Sequence, residues 1–321
     1  MSPEEVSVSS LSSFRIGNAQ NTAGGSGCTV ILCEKGAVAG VDVRGGAPAS
    51  HETELLHPVN TVDRIHAVVL SGGSAFGLEA TAGVMRFLEE KGVGFSVGPI
   101  TVPIVCGASL FDLAVGGGHC RPDKAMGYEA CRAAYRETAA EGNYGAGTGA
   151  TVGKWLGPER SMKSGLGIFA VRAGALIVAV VAAVNAVGDV VDAETGAPLA
   201  GLLSADGSRR ESTADALLAG APPLTTAGAN TTLVCVLSNA ALTKAQASKV
   251  ASMAHNGLAR TIRPAHTTMD GDTVFCMTDG TVPAPVDLTG FLAAYATAKA
   301  INRAVIRSRS AYGLKSYRDF L

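Results

Sequence analysis

A mixed α/β fold, with sheets covered by helices, is predicted from three observations. Runs of strand length are apolar throughout, residues 175–184 most of all, which is the pattern of a strand buried on both faces. Other segments space their apolar residues at helical intervals and carry helix start and stop signals. The 321 residues include 40 glycines, with 47% hydrophobic and only 5% aromatic residues, so the interior must close on small side chains. No repeat or long low-complexity linker divides the chain. Its length allows two domains or one large one, with ample chain for a substantial core, and it is taken as one, 1–321.

Taken in order, residues 28–43 read as two apolar strands around the turn Glu34-Lys35-Gly36. Residues 67–70 form another strand, and the glycine loop 71–77 follows it. The next helix is expected to bury Leu78, Ala82, Met85 and Leu88, with Gly92 beyond its end. Residues 122–138 predict a helix opened by Pro122 and Asp123. Residues 166–172 and 175–184 read as a hairpin turned at Gly174. Residues 193–226, rich in Gly, Ala, Ser, Asp and Pro, are the most loop-like part of the chain. A strand at 231–238 comes next, then a helix that Thr243 and Gln246 open as a capping box. A last helix carries Phe291, Tyr295, Ala298, Ile301 and Val305 on one stripe.

Composition excludes several function classes. With 26 Lys and Arg against 27 Asp and Glu, there is no basic excess to support extended nucleic-acid binding. Mean hydropathy is +0.27, yet the longest apolar run, 173–184, is well short of the roughly 20 residues that span a bilayer. No membrane association is expected. Residues 1–13 carry Glu4 and Glu5 and no apolar stretch, so they do not read as a secretory signal. Seven cysteines, none in a CxxC pair or a zinc-type cluster, read as buried reduced thiols in a cytoplasmic protein. The loop 71–77 has neither GxGxxG nor P-loop spacing and reads as a structural turn. The six histidines form no HExxH array and no serine sits in a GxSxG elbow; no metal site is expected.

The chemically informative stretch is 224–238, where a Pro- and Gly-containing segment ends at Asn230 and a β-branched strand begins with Thr231-Thr232. By itself this is a loop entering a strand. A chain cut before Thr231, however, would give that residue an α-amine, a group that ordinarily titrates at about 7.7–8.0. Such an amine is well matched to act as base for the hydroxyl beside it, so one residue would supply nucleophile and base. Three other segments offer what the site would need. Asp270-Gly271-Asp272 sets two carboxylates around a glycine, able to hold an ammonium and order a hydroxyl, and no twelve-residue EF-hand pattern competes. The run 145–154 is glycine-rich and delivers Lys154, which alone would be a solvated surface cation. Asn185 ends the most apolar strand, where an amide needs a partner, and is a candidate oxyanion donor.

Together these segments resemble the DmpA-like family of self-processing N-terminal-nucleophile (Ntn) hydrolases, which holds L-aminopeptidase/D-esterases, β-peptidyl aminopeptidases and nylon-oligomer hydrolases. The resemblance spans most of the chain. It includes Arg44-Gly45-Gly46-Ala47, residues 73–80, Pro122-Asp123-Lys124-Ala125 and residues 266–275. Asn230-Thr231-Thr232 with Asp270-Gly271-Asp272 looks most like the nylon-oligomer (6-aminohexanoate-oligomer) hydrolase branch.

The resemblance implies a four-layer α-β-β-α sandwich, DmpA/ornithine-acetyltransferase-like, often assembled as a homotetramer. It implies self-cleavage between Asn230 and Thr231 into chains 1–230 and 231–321 that stay associated. Thr231 becomes the nucleophile, Asp270 and Asp272 the acidic pair, Lys154 the active-site lysine and Asn185 the oxyanion asparagine. Phe111 and Tyr144 are taken as substrate-binding positions, and Phe111 stands where family members often carry a tyrosine. The implied activity is hydrolysis, without metal or organic cofactor, of amide bonds in small peptides, β- or D-amino-acid amides or aminohexanoate oligomers. The alternatives are an ornithine acetyltransferase-like acyl transferase and a non-catalytic binding protein on the same scaffold.

Overall fold

The computed structural model describes residues 3–136, 138–224, 228 and 230–321. Ten strands join in one hydrogen-bonded sheet, and its shape is set by a single long strand, Ser26–Val43. That strand pairs at its N-terminal half with Arg64–Ser71 and at its C-terminal half with Thr273–Val282. The expectation of two strands here is corrected. Each half finds its own neighbour, so residues 33–36 form an irregularity within one strand. Gly36 takes φ 75 there, which a residue without Cβ tolerates, and Arg64 donates to its carbonyl at 2.8 Å.

The long strand joins two sheet halves that stack. One half runs Leu166–Ala173, Leu176–Asn185, Thr231–Ala240, Thr273–Val282; the other runs Arg64–Ser71, Val105–Ser109. Alternation of side chains along these strands sorts the core into layers. Ile177, Ala179, Val181, Leu233, Cys235 and Phe275 face Ile31, Val68, Leu70 and Cys106 between the halves. Val178, Val180, Val234, Val236 and Val274 face outward onto the helices Lys244–Thr261 and Val286–Arg307. On the far side Val30, Leu32, Val69 and Val105 pack against Ala80–Glu90 and Lys124–Ala133. Helix, sheet, sheet, helix is the four-layer sandwich.

Close layers explain the glycines. A Cβ at Gly40 would come 2.2 Å from the backbone N of Ser248, so strand and helix meet there only without one. The capping box at Thr243 forms, and Asp123 caps its helix by accepting from Met126 N–H at 2.8 Å. The hairpin at Gly174 forms as well.

Boundaries differ in places. The helix from Lys124 stops at Ala133 instead of reaching 138, and Glu137 lies outside the described residues. Of the expected face only Leu88 is fully buried; Ala80, Thr81, Val84 and Phe87 are buried with it, while Leu78, Ala82 and Met85 are half-buried, since a 3-10 turn at Ser74–Glu79 precedes the helix and shifts the phase. Phe291 lies on the exposed side of the last helix, while Ala298, Ile301 and Val305 are buried. The loop-like 193–226 holds a short strand, Pro198–Ala200, and a short helix, Thr213–Leu218; its residues 225–226 lie outside the described residues. Among the described residues no helix is long and apolar enough to cross a membrane. All seven cysteines are free thiols and six are buried.

Candidate active site

In the turn at 71–77, read from the sequence as structural, the Gly73 N–H is taken within the fold. Gly73 donates at 2.7 Å to Asp112, whose carboxylate also accepts from the Ser26 hydroxyl at 2.8 Å. Burial pushes the Asp112 acid up to about 6.

The other sequence-picked residues converge at one end of the sandwich. Asn185 closes its strand, Thr231 opens the next, and the antiparallel register sets the two directly opposite. Directly paired residues project to the same face, so the amide and the hydroxyl share one side of the sheet. Thr231 donates its hydroxyl hydrogen to the Asn230 carbonyl oxygen, the oxygen of the peptide bond just before it.

Lys154 is no surface cation: it is 5% exposed. Its backbone is laid along 187–188, with Gly153 donating to Gly188 O at 3.0 Å and Lys154 to Val187 O at 2.9 Å. Gly153 takes φ 76, and a Cβ there would strike Gly201 at 2.0 Å. The lysine amine then donates to Asn185 twice, to its main-chain and side-chain oxygens, each at 2.9 Å. Burial lowers this amine to about 7, against the opposing pull of Asp270 and Asp112. Asn185 Oδ1 also accepts from Thr151 N–H at 3.0 Å, and its Nδ2 donates to the Phe111 carbonyl at 2.8 Å.

Asp270 and Asp272 sit in the irregular turn before the strand Thr273–Val282, and both are 1% exposed. Asp270 accepts from Val187 N–H at 3.1 Å and from the Thr267 hydroxyl at 2.5 Å. Asp272 accepts from Thr232 N–H at 2.7 Å, which fixes it to the residue after the candidate nucleophile. Burial first, and Asp272 second, raise the Asp270 acid to about 6.

Sequence reasoning missed His266. Its Nδ1 and its backbone N–H both hold the second oxygen of Asp272, at 2.9 and 3.0 Å. His255 packs edge-on against it with ring centroids 4.7 Å apart, and burial lowers His255 to about 4. His255 Nε2 in turn lies 3.0 Å from the Asp42 carbonyl. The signal was present, since His266 lies inside 266–275, but only the turn brings it back onto Asp272.

A cavity of about 520 Å³ adjoins this cluster at Lys154 and Thr151, with Phe111, Glu159, Leu224 and Tyr312 among its walls. Phe111 therefore borders this cavity. Tyr144 does not: it is exposed and lines a separate small recess with Asn18, Gln20 and Ala140. The 3-10 turn Gly145–Gly147 that follows is buried and points the tyrosine ring outward. Tyr312, which no pattern in the sequence marked, stands in the cavity wall instead, its hydroxyl donating to Thr22 O at 2.7 Å.

The family model of peptidase family S58 matches residues 7–318. An uncharacterized aminopeptidase of Mycobacterium tuberculosis is 41% identical over 314 residues, covering 91% of this chain and 89% of that protein. A 6-aminohexanoate-oligomer endohydrolase of Kocuria is 32% identical over 275 residues, covering 84% and 74%. Among solved structures, the L-aminopeptidase D-Ala-esterase/amidase of Ochrobactrum anthropi, a variant of the Ntn-hydrolase fold, aligns over 92% of this chain and 84% of that one. Its TM-score is 0.67 at 16% identity, which shows a shared fold.

Proposed function

This chain belongs to peptidase family S58 and is a hydrolytic enzyme with the Ntn-hydrolase fold, and on that premise we propose that it activates itself by cutting the Asn230–Thr231 bond. The Thr231 oxygen attacks the Asn230 carbonyl carbon, and the acyl group passes from nitrogen to oxygen. Water then opens the ester, leaving chains 1–230 and 231–321 associated. The freed Thr231 amine accepts the hydroxyl proton as the same oxygen attacks a substrate amide. Asn185 holds the substrate oxyanion, Lys154 adds positive charge beside it, and Asp270 and Asp272 orient the Thr231 amine and hydroxyl. The substrates are small amides: short peptides, β- or D-amino-acid amides, or aminohexanoate oligomers. A cavity of about 520 Å³ falls inside the usual range of roughly 300–1,000 Å³ for small-ligand sites. A homotetramer in the cytoplasm belongs to the same proposal.

The observation that carries this reading is the Thr231 hydroxyl on the Asn230 carbonyl, inside a buried cluster that also holds Asn185, Lys154, Asp270 and Asp272. The test is the intact mass of denatured wild-type protein. Dividing 32.4 kDa by chain share gives fragments of roughly 23 and roughly 9 kDa, the smaller beginning Thr-Thr-Leu-Val. A single uncut 32.4 kDa species would favour the binding-protein alternative.

A further inference from the structure

A self-cleaving peptide bond needs a donor for its own oxyanion, and Asn185 is turned elsewhere: its amide nitrogen donates to Phe111 O, and its oxygen faces Lys154 and Thr151. The scissile carbonyl is met from the opposite side. The N–H of Gly271 donates to Asn230 O at 3.0 Å. We propose that this backbone N–H is the oxyanion donor of self-cleavage, a separate station from the Asn185 amide that serves substrate. The inference rests on the self-cleavage reading above.

Three features hold the donor in place. Asn230 and Asp270 form a parallel bridge that extends the pairing of Thr231–Ala240 with Thr273–Val282, so the sheet itself fixes Gly271 against the carbonyl. The segment 44–47 clamps the turn from outside: Arg44 N–H donates to Asp272 O at 3.0 Å, Gly46 N–H to Thr267 O at 3.2 Å and Ala47 N–H to Asp270 O at 2.9 Å. A Cβ at Gly45 would come 2.3 Å from Asp272 N, so the clamp closes only without a side chain there. Finally, a Cβ at Gly271 would stand 2.7 Å from the Thr231 hydroxyl oxygen and 2.7 Å from Ala47 O. Glycine thus lets one backbone N–H and the nucleophile reach the same carbonyl. A donor already aligned in the resting precursor needs no rearrangement when charge develops.

In the step itself, the bond from Thr231 oxygen to Asn230 carbon forms and the carbonyl electron pair moves onto the oxygen facing Gly271. When that pair returns, the carbon–nitrogen bond breaks and the Thr231 nitrogen takes up the proton that the Thr231 hydroxyl gave up on attack, so it leaves as the amine and the hydroxyl oxygen is left as an ester.

The test replaces Gly271 by glycolic acid in cell-free synthesis of the full chain, which exchanges one N–H for an ester oxygen and adds no bulk. Self-cleavage at Asn230–Thr231 is expected to slow about 100-fold or more, with circular dichroism and Tm near those of the Thr231→Ala precursor. Unchanged cleavage in the ester protein, with wild type cutting normally, overturns the inference and leaves the proposed function standing. Wild type that never cuts overturns the proposed function itself. If the ester protein does not fold, a crystal structure of the Thr231→Ala precursor decides: Gly271 N within about 3.2 Å of Asn230 O supports the donor, and a separation beyond about 3.5 Å overturns it.

Discussion

The Lys154 amine bonds Asn185 at both of its oxygens, main-chain and side-chain, each at 2.9 Å. Because Asn185 is paired in register with Thr231, this grip fixes the strand end beside the proposed nucleophile. Lys154→Met keeps the side chain out to its fourth atom and removes its charge and donors. Self-cleavage, followed by intact mass over time, is expected to fall at least about tenfold, the cost of a lost charged hydrogen bond. Cleavage at the wild-type rate would remove Lys154 from the mechanism.

The same lysine sets a pH limit. Burial brings its amine down to about 7, so it is charged below that pH and neutral above it. Asp270, raised to about 6, is neutral below that pH and ionised above it. Self-cleavage that needs ionised Asp270 and charged Lys154 should peak between about 6 and about 7 and decline on both sides. A rate for freshly synthesised precursor that climbs steadily to alkaline pH would instead mark Lys154 as a base acting in its neutral form.

Thr231→Ala removes the attacking oxygen while leaving the buried strand intact. The variant should remain a single chain and hydrolyse nothing, whereas Thr231→Ser should still cut itself. Fragments of roughly 23 and 9 kDa from the alanine variant, on the scaling of 32.4 kDa used above, would end the threonine mechanism.

In the proposed mechanism His266 would act on Thr231 through Asp272, which it holds by ring and backbone. His266→Ala should slow self-cleavage and turnover about tenfold or more. His266→Asn, whose amide nitrogen can take the place of Nδ1, should recover most of the rate. The kcat and KM of the processed variants separate this from a packing role: positioning of Asp272 lowers kcat with KM nearly unchanged. Equal losses in the alanine and asparagine variants would assign His266 to packing alone.

Much of the fold was legible because it depends on local chemistry. The apolar run ending at Asn185 could only be a strand buried on both faces, and Thr243 with Gln246 could open a helix by their own hydrogen bonds. The strand Ser26–Val43 was misread because a bulge and a turn use the same residues, and which one forms depends on partners far along the chain. The phase of the first helix was missed because a 3-10 turn shifts register without changing composition. Tyr144 and Tyr312 carry the same side chain, and only the folded backbone decides which one reaches the cavity.

By itself the sequence determined the residue types of the candidate site and the junction before Thr231, since hydroxyl, acids, amine and amide are properties of side chains. Tertiary structure decided their values and their distances. Burial moves Lys154 to about 7 and Asp270 to about 6, and strand register sets Asn185 across from Thr231. The N–H of Gly271 reaches the Asn230 carbonyl only because a parallel bridge holds it there. Desolvation and backbone pairing are collective, summed over residues distant in sequence, so no local pattern records them.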